Sequence, residues 1–73
     1  MERVYTMVTT ILTAPGNSPC LLDKEELNTE NFYHAVDCMR KFETDLTWKE
    51  STRNGLPCFT CNTNDGILKV FFE

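Results

Sequence analysis

The chain has 73 residues, 41% of them hydrophobic, and a formal net charge of −4 at pH 7. This length predicts one domain, 1–73, and the hydrophobic content is typical of a folded globular protein rather than a disordered one. The seven Lys and Arg residues nowhere form a basic run interleaved with aromatic residues, so nucleic-acid binding is not expected. No apolar run approaches the roughly 18 residues of a membrane-spanning helix, so no membrane partner is expected either.

The N-terminal segment and the cysteines bear on the cellular compartment. Glu2 offsets Arg3, so the segment lacks the positively charged start of a signal peptide. Four cysteines in 73 residues fall below the share of roughly 8–10% that is typical of a disulfide scaffold. Reduced thiols and a cytoplasmic location are therefore expected, although a processed secreted protein with an added Met1 would look the same.

Residues 3–13 are rich in Thr, Val and Ile and predict the first β-strand. Because side chains alternate between the two faces of a strand, this strand has two apolar faces. One face carries Val4, Val8 and Leu12, and the other carries Tyr5, Met7 and Ile11. A strand that is apolar on both faces is usually covered on both, whereas one short helix covers only one.

Turn and capping signals separate this strand from a predicted helix. Residues 14–19 have the composition of a turn. Asp23 with Glu26 forms a potential capping box, and Thr29 offers a second N-cap. From Glu30 to about residue 45, apolar residues recur every three or four positions, which is typical of an α-helix with one buried side. The apolar stripe comprises Phe32, Ala35, Val36, Met39, Phe42 and Leu46.

Two hairpin signals, Asn54-Gly55 and Asn64-Asp65-Gly66, divide the C-terminal part of the chain into strands. The predicted strands are 46–53, 56–63 and 67–73. Hydrogen-bonded positions of a middle strand alternate between its two neighbours, and two-residue turns at both ends are expected to conflict with this alternation. A three-residue second loop, with Gly66 in the left-handed region, removes the conflict.

This pairing assigns the residues of the last two strands to faces. The core side is expected to carry Cys58 and Thr60 with Val70 and Phe72, and the outer side Phe59 and Cys61 with Ile67 and Phe71. The predicted fold is α+β with the order β-α-β-β-β, an antiparallel sheet with one helix packed on one face. In topology alone this order is similar to that of cystatins and monellin, but the inhibitory Gln-x-Val-x-Gly of cystatins is absent, so no function is implied.

The Cys58-x-x-Cys61 motif raises the question of a metal site. His34 and Cys38 lie one helical turn apart and could complete a Cys₃His zinc site with the two later cysteines. However, residues three apart in a strand point to opposite faces, so both sulfurs would not reach one ion. We therefore expect no metal and no cofactor, with a zinc-stabilised module as the alternative.

Catalysis is also not expected. His34 and Cys38 could form a nucleophile pair across one helical turn, but a small sheet with one helix has little room for a cleft that excludes water. The three glycines are isolated turn residues and form no phosphate-binding loop. The sequence predicts a protein that is not an enzyme.

Apolar residues that one helix leaves uncovered predict an association surface. The expected partner-binding residues are Tyr5, Met7, Ile11, Phe59, Ile67 and Phe71. If the loop 14–28 covered this face instead, the surface would disappear. Trp48 is expected in the core, with a role as a partner anchor as the alternative that the register of the first hairpin decides. The predicted function is a non-catalytic protein–protein interaction module, a regulator, inhibitor or assembly factor that acts as a homodimer. A further alternative is an acidic mimic of nucleic acid that binds a basic protein.

Overall fold

The computed structural model describes residues 3–42 and 48–73, which form five β-strands and one α-helix. The elements are β1 (Tyr5–Leu12), β2 (Cys20–Leu27), α1 (Thr29–Phe42), β3 (Lys49–Arg53), β4 (Leu56–Thr63) and β5 (Gly66–Phe72). The strands form one antiparallel sheet in the order β2-β1-β5-β4-β3. The prediction of an α+β fold with an antiparallel sheet is confirmed. Within the described ranges, no helix has the length and hydropathy needed to cross a membrane.

The predicted order β-α-β-β-β is wrong because a strand precedes the helix where turn and cap signals were expected. Strand β2 pairs antiparallel with β1 from Tyr5↔Leu27 to Thr9↔Asp23, and the register then shifts at a bulge before Thr10↔Leu21. Every residue of β2 except Leu27 is exposed. The strand lies at the edge of the sheet, where charged side chains hinder pairing with further chains. Its charged and exposed side chains leave little apolar alternation in the sequence.

The helix begins one residue away from the sequence prediction and has a different cap. The side-chain Oδ1 of Asn28 accepts a hydrogen bond from the backbone N–H of Asn31 at 2.8 Å, which is N-cap geometry. Asp23 and Glu26 lie in β2, and Thr29 is the first helical residue. The helix is described to Phe42, so its predicted end at residue 45 and the position of Leu46 lie outside the described residues.

The core forms where the helix stripe meets the sheet. Phe32, Val36 and Met39 are buried, and Ala35 packs against the same cluster. The ring of Phe32 stacks on that of Tyr5 with centroids 4.0 Å apart and meets the ring of Phe72 edge-on at 5.0 Å. Such pairs add about 0.5–1.5 kcal/mol beyond the area that they bury.

Further contacts join the helix region to the β3–β4 side of the sheet. The guanidinium of Arg40 donates two hydrogen bonds to Glu50 of β3, from Nε to Oε1 at 2.9 Å and from Nη2 to Oε2 at 3.1 Å. Trp48, which precedes β3, is half-buried and packs against the core cluster, in agreement with its expected place.

The expected three-residue loop between β4 and β5 is wrong. Thr63 pairs directly with Gly66, so the turn contains only Asn64 and Asp65. The first hairpin also has a two-residue turn, and there Asn54 and Gly55 take positive φ values of 53° and 81°, as a type I′ turn requires. The residue of β4 next to the first turn is Leu56, which is even-numbered, and the residue next to the second turn is Thr63, which is odd-numbered. Hydrogen bonds of a middle strand alternate along the strand between its two neighbours. The two short turns therefore coexist.

This register moves residues of β4 to the opposite faces from those predicted. Phe59 is paired with Val70 and is fully buried in the core, whereas Cys58 is paired with Phe71 on the other side. The shift follows from the alternation of side chains: a change of one residue in the pairing exchanges the two faces of a strand.

Candidate functional site: the open face of the sheet

Strand alternation divides the sheet into two faces, and residues of one face share a core cluster with residues of α1. On the helix side lie Tyr5, Phe59, Val70 and Phe72, which share the core cluster with helix residues. We call the opposite side the open face, because the residues of α1 in the core cluster lie on the other side; within the open face, Val8 and Cys58 are themselves buried. From strand alternation its residues are Thr6, Val8, Thr10, Leu12, Leu21, Lys24, Glu26, Lys49, Ser51, Arg53, Cys58, Thr60, Asn62, Ile67, Lys69, Phe71 and Glu73.

The six residues predicted to bind a partner do not share one surface. Tyr5 and Phe59 are in the core cluster, Met7 packs against it, and Ile11 lies on the same helix-side face. The remaining two residues, Ile67 and Phe71, lie on the open face.

Two features separate these residues. The β4–β5 register places Phe59 opposite the core residue Val70. In β1, the face with Tyr5 and Met7, rather than the face with Val8 and Leu12, turns toward the helix.

A groove of about 560 Å³ runs over the central strands of the open face. Leu12, Ile67 and Phe71 form its apolar part, and Thr10, Thr60 and Asn62 contribute polar groups. Ile67 is 42% exposed, which is high for a large apolar residue within a central strand. Neither the predicted residues of the first strand nor Phe59 lines this groove.

An arginine and an aromatic ring form one wall of the groove. The guanidinium carbon of Arg53 lies 4.2 Å from the centroid of the Phe71 ring, on the face of the ring. A contact of this kind contributes about 0.5–1 kcal/mol at an exposed site. It keeps the positive charge of Arg53 over the groove and covers one side of the ring, so Phe71 offers less surface for stacking with a further planar group.

The charges of the open face differ in sign from those of the whole chain. Its basic residues are Lys24, Lys49, Arg53 and Lys69, and its acidic residues are Glu26 and Glu73. Thr6 pairs with both acids, so they lie on either side of it. Thr6 is near one end of β1, and Ile67 pairs with Leu12 at the other end, so the acids are far from Ile67. Of the described charged residues, Arg53 and Lys69 line the groove itself, and no described acidic residue does. A positive region therefore lies around the groove of a chain whose formal charge is −4.

The cysteine and histidine positions do not converge on one site. Cys58 lies on the open face and Cys61 on the helix side, on opposite faces as strand alternation predicts. Both residues are buried. In the described ranges, no group of three or more His, Cys, Asp or Glu side chains could hold a metal ion. Cys38 Sγ lies 3.7 Å from His34 Nε2 on the outer side of α1, so the pair is within reach as expected. Neither residue lines the groove on the open face.

Sequence reasoning missed the basic residues of the open face because they are far apart along the chain. Lys49 and Lys69 are 20 positions apart but lie in one cross-strand row, each paired with Thr60. The register of two hairpins brings them together. No protein-family model matches this chain, and no curated protein or solved structure is significantly similar to it.

Proposed function

We propose that this protein is a non-catalytic interaction module that binds another protein through the open face of its sheet. The observation that carries the proposal is the groove in which the exposed Ile67 lies beside the half-buried Leu12 and Phe71, on the face opposite the core cluster that contains the residues of α1. Apolar surface of this kind, bordered by polar and charged groups, is typical of association sites. In such a module the binding surface controls or assembles its partner, and no reaction is required of the chain itself.

The charges of the open face favour a different protein as the partner over a second copy of this chain. A homodimer that docked groove to groove would bring Arg53 and Lys69 of one protomer close to the same residues of the other. Like charges brought together in an interface cost free energy, which hinders that self-association. A partner with acidic groups gains from the same charges. The predicted homodimer is therefore replaced in this proposal by a complex with another chain.

The test is capture of a partner from an extract of cells that express the protein, with the wild type and two variants as bait. Ile67→Asp places a charge in the groove, and Tyr33→Asp adds the same charge to an exposed residue of α1, on the opposite side of the sheet. The wild type and Tyr33→Asp are expected to recover the same protein, and Ile67→Asp is expected to recover at least ten-fold less of it. Equal recovery by all three baits would show that the open face is not the binding surface.

Circular dichroism spectra of the three baits provide the folding control. Both substituted residues are exposed, Ile67 by 42% and Tyr33 by 61%, so both variants are expected to keep the wild-type spectrum. A loss of binding with an unchanged spectrum then reports on the surface and not on the fold.

A further inference from the structure

We infer that the open face binds an acidic amphipathic α-helix of a partner protein, an inference that rests on the proposed function and names the partner's chemistry. Three observations support this: the direction of the sheet's own hydrogen bonds, the extent of the apolar groove, and the positive charges around it.

The hydrogen bonding of the sheet decides the kind of element that docks. Strands β1, β4 and β5 each have a neighbour on both sides, so their backbone donors and acceptors are used within the plane of the sheet. A segment lying on the face finds no backbone partner there, and buried backbone groups without a partner are costly. An α-helix satisfies its own backbone groups, whereas an extended peptide would require a free sheet edge.

The size of the groove suits a helix of two to three turns. Ile67 and Phe71 lie on the same face of β5, four residues apart, which corresponds to about 13 Å in a strand. A helix covers about 13 Å with nine residues, so its apolar stripe can contact both side chains at once. On the other side of the sheet, residues of a 14-residue helix already share the core cluster with strand residues.

The charges define what must flank that apolar stripe. Lys69 lies between Ile67 and Phe71 on the open face, and Lys49 lies two strands away in the same row, about 9.5 Å from it between Cα atoms. Arg53 lies beside the groove over the Phe71 ring. Carboxylates on both sides of the partner's stripe can pair with these cations, and pairing of opposite charges mainly determines which partner is accepted and how fast it binds.

A single-stranded nucleic acid is a poorer match for the same charges. Sheet surfaces that bind single strands stack several bases on exposed aromatic rings. Among the residues that the structure describes, Phe71 is the only aromatic one on this face, and Arg53 covers one side of its ring. The observations therefore favour the acidic helix, and nucleic acid becomes one outcome of the test.

The test uses two fluorescein-labelled synthetic helical peptides of 18 residues with the same leucine stripe, one with Glu and the other with Lys at the flanking positions. Fluorescence anisotropy measures binding to the full chain at 50 and 300 mM salt. The Glu peptide is expected to bind at least ten-fold more tightly than the Lys peptide at low salt, with a smaller difference at high salt because ions screen exposed charges.

Charge-reversal variants locate the binding surface. The double variant Lys49→Glu/Lys69→Glu is expected to weaken binding of the Glu peptide at least ten-fold. The control, Lys41→Glu, reverses a charge in the last turn of α1 and is expected to change binding less than two-fold. Equal binding of the two peptides, or equal effects of the double variant and the control, would overturn the inference.

Two other occupants give distinct results that also overturn it. Tighter binding of labelled oligothymidine than of the Glu peptide, lost in Lys49→Glu/Lys69→Glu, would identify a nucleic-acid site. A dimer of the free protein at low micromolar concentration that Ile67→Asp dissociates, seen by sedimentation, would identify a second copy. If neither peptide binds but the captured partner is still lost with Ile67→Asp, the proposed function stands and only the acidic helix is refuted.

Discussion

The Gly66→Ala substitution is expected to be among the most destabilising single changes in this chain. Gly66, the first residue of β5, has φ 143°, a conformation that residues with a side chain rarely adopt. A Cβ atom added there would overlap the carbonyl oxygen of Leu12 and come within 3.0 Å of the Leu12 carbonyl carbon and of Thr13 Cα. All three atoms belong to the backbone at the end of β1, so no side-chain rotation relieves the overlap.

The expected cost has two parts. A residue held in a sparsely populated backbone conformation costs about 1–3 kcal/mol, and inserting a methyl group into a closely packed site costs about 1–3 kcal/mol more. The total, about 2–6 kcal/mol, is comparable to the roughly 3–5 kcal/mol that the core of so small a domain supplies. Gly66→Ala is therefore expected to remove a large part of the stability or all of it.

Substitutions at two other glycines distinguish the cost of the backbone conformation from the cost of the steric overlap. Gly16 and Gly55 also have positive φ, 85° and 81°, but an added Cβ would have nothing within 4 Å. Gly16→Ala and Gly55→Ala are expected to show only the conformational cost, about 1–2 kcal/mol. The difference between their effect and that of Gly66→Ala measures the contact with β1.

Urea unfolding followed by far-ultraviolet circular dichroism and by the fluorescence of the single tryptophan, Trp48, gives the free energies. If Gly66→Ala unfolds within about 0.5 kcal/mol of Gly55→Ala, the added methyl meets no obstacle and the close approach of β5 to the end of β1 does not exist. If Gly66→Ala is already unfolded in the absence of urea, this result agrees with the expected loss of stability.

Three further predictions concern the cap, the ion pair and the thiols. Asn28→Ala removes the acceptor that caps α1 and is expected to lower the unfolding free energy by about 1 kcal/mol. An unchanged unfolding midpoint in urea would contradict the role of Asn28 as the cap. Glu50→Gln is expected to cost about 0.2–1 kcal/mol at pH 7 and low salt, and little in high salt. The hydrogen bond from Arg40 holds the pKa of Glu50 below its ordinary value, so the pair stabilises the fold above the unfolded-state pKa. This contribution is lost as the pH falls through the lower pKa of the folded state, so wild type and Glu50→Gln should converge in stability in acid, below that pKa, and a constant difference would exclude the pair as its source. A thiol reagent is expected to modify the exposed Cys20 before the buried Cys61, as peptide mass spectrometry can follow, and equal rates would contradict the burial of Cys61.

The helix and the positions of the two hairpins were predictable because their signals are local. The recurrence of Phe32, Val36 and Met39 at helical spacing identifies both the helix and its buried side, and the structure buries all three. Asn54-Gly55 is a short-range signal for a tight turn, since both residues tolerate the positive φ that they adopt. No long-range contact is needed for either prediction.

Strand β2 was missed because its sequence satisfies a different local pattern. The spacing of Asp23 and Glu26 matches a capping box, but both residues lie in an exposed edge strand that pairs with β1. An edge strand with one side in water has little apolar alternation, so only pairing with the neighbouring strand distinguishes it from a polar loop.

The sequence by itself determined the α+β class of the fold, the helix and the Asn54-Gly55 turn, because the signals for the helix and this turn lie within a few residues of each other. The tertiary structure alone decided which side of each strand is covered. The choice between two-residue and three-residue turns at Asn64-Asp65 sent Phe59 into the core and left Ile67 and Phe71 on the open face. It also brought Lys49 and Lys69 into one row, since strand register joins residues that are distant in the chain. The positive groove of an acidic protein is therefore a property of strand pairing, which composition does not reveal.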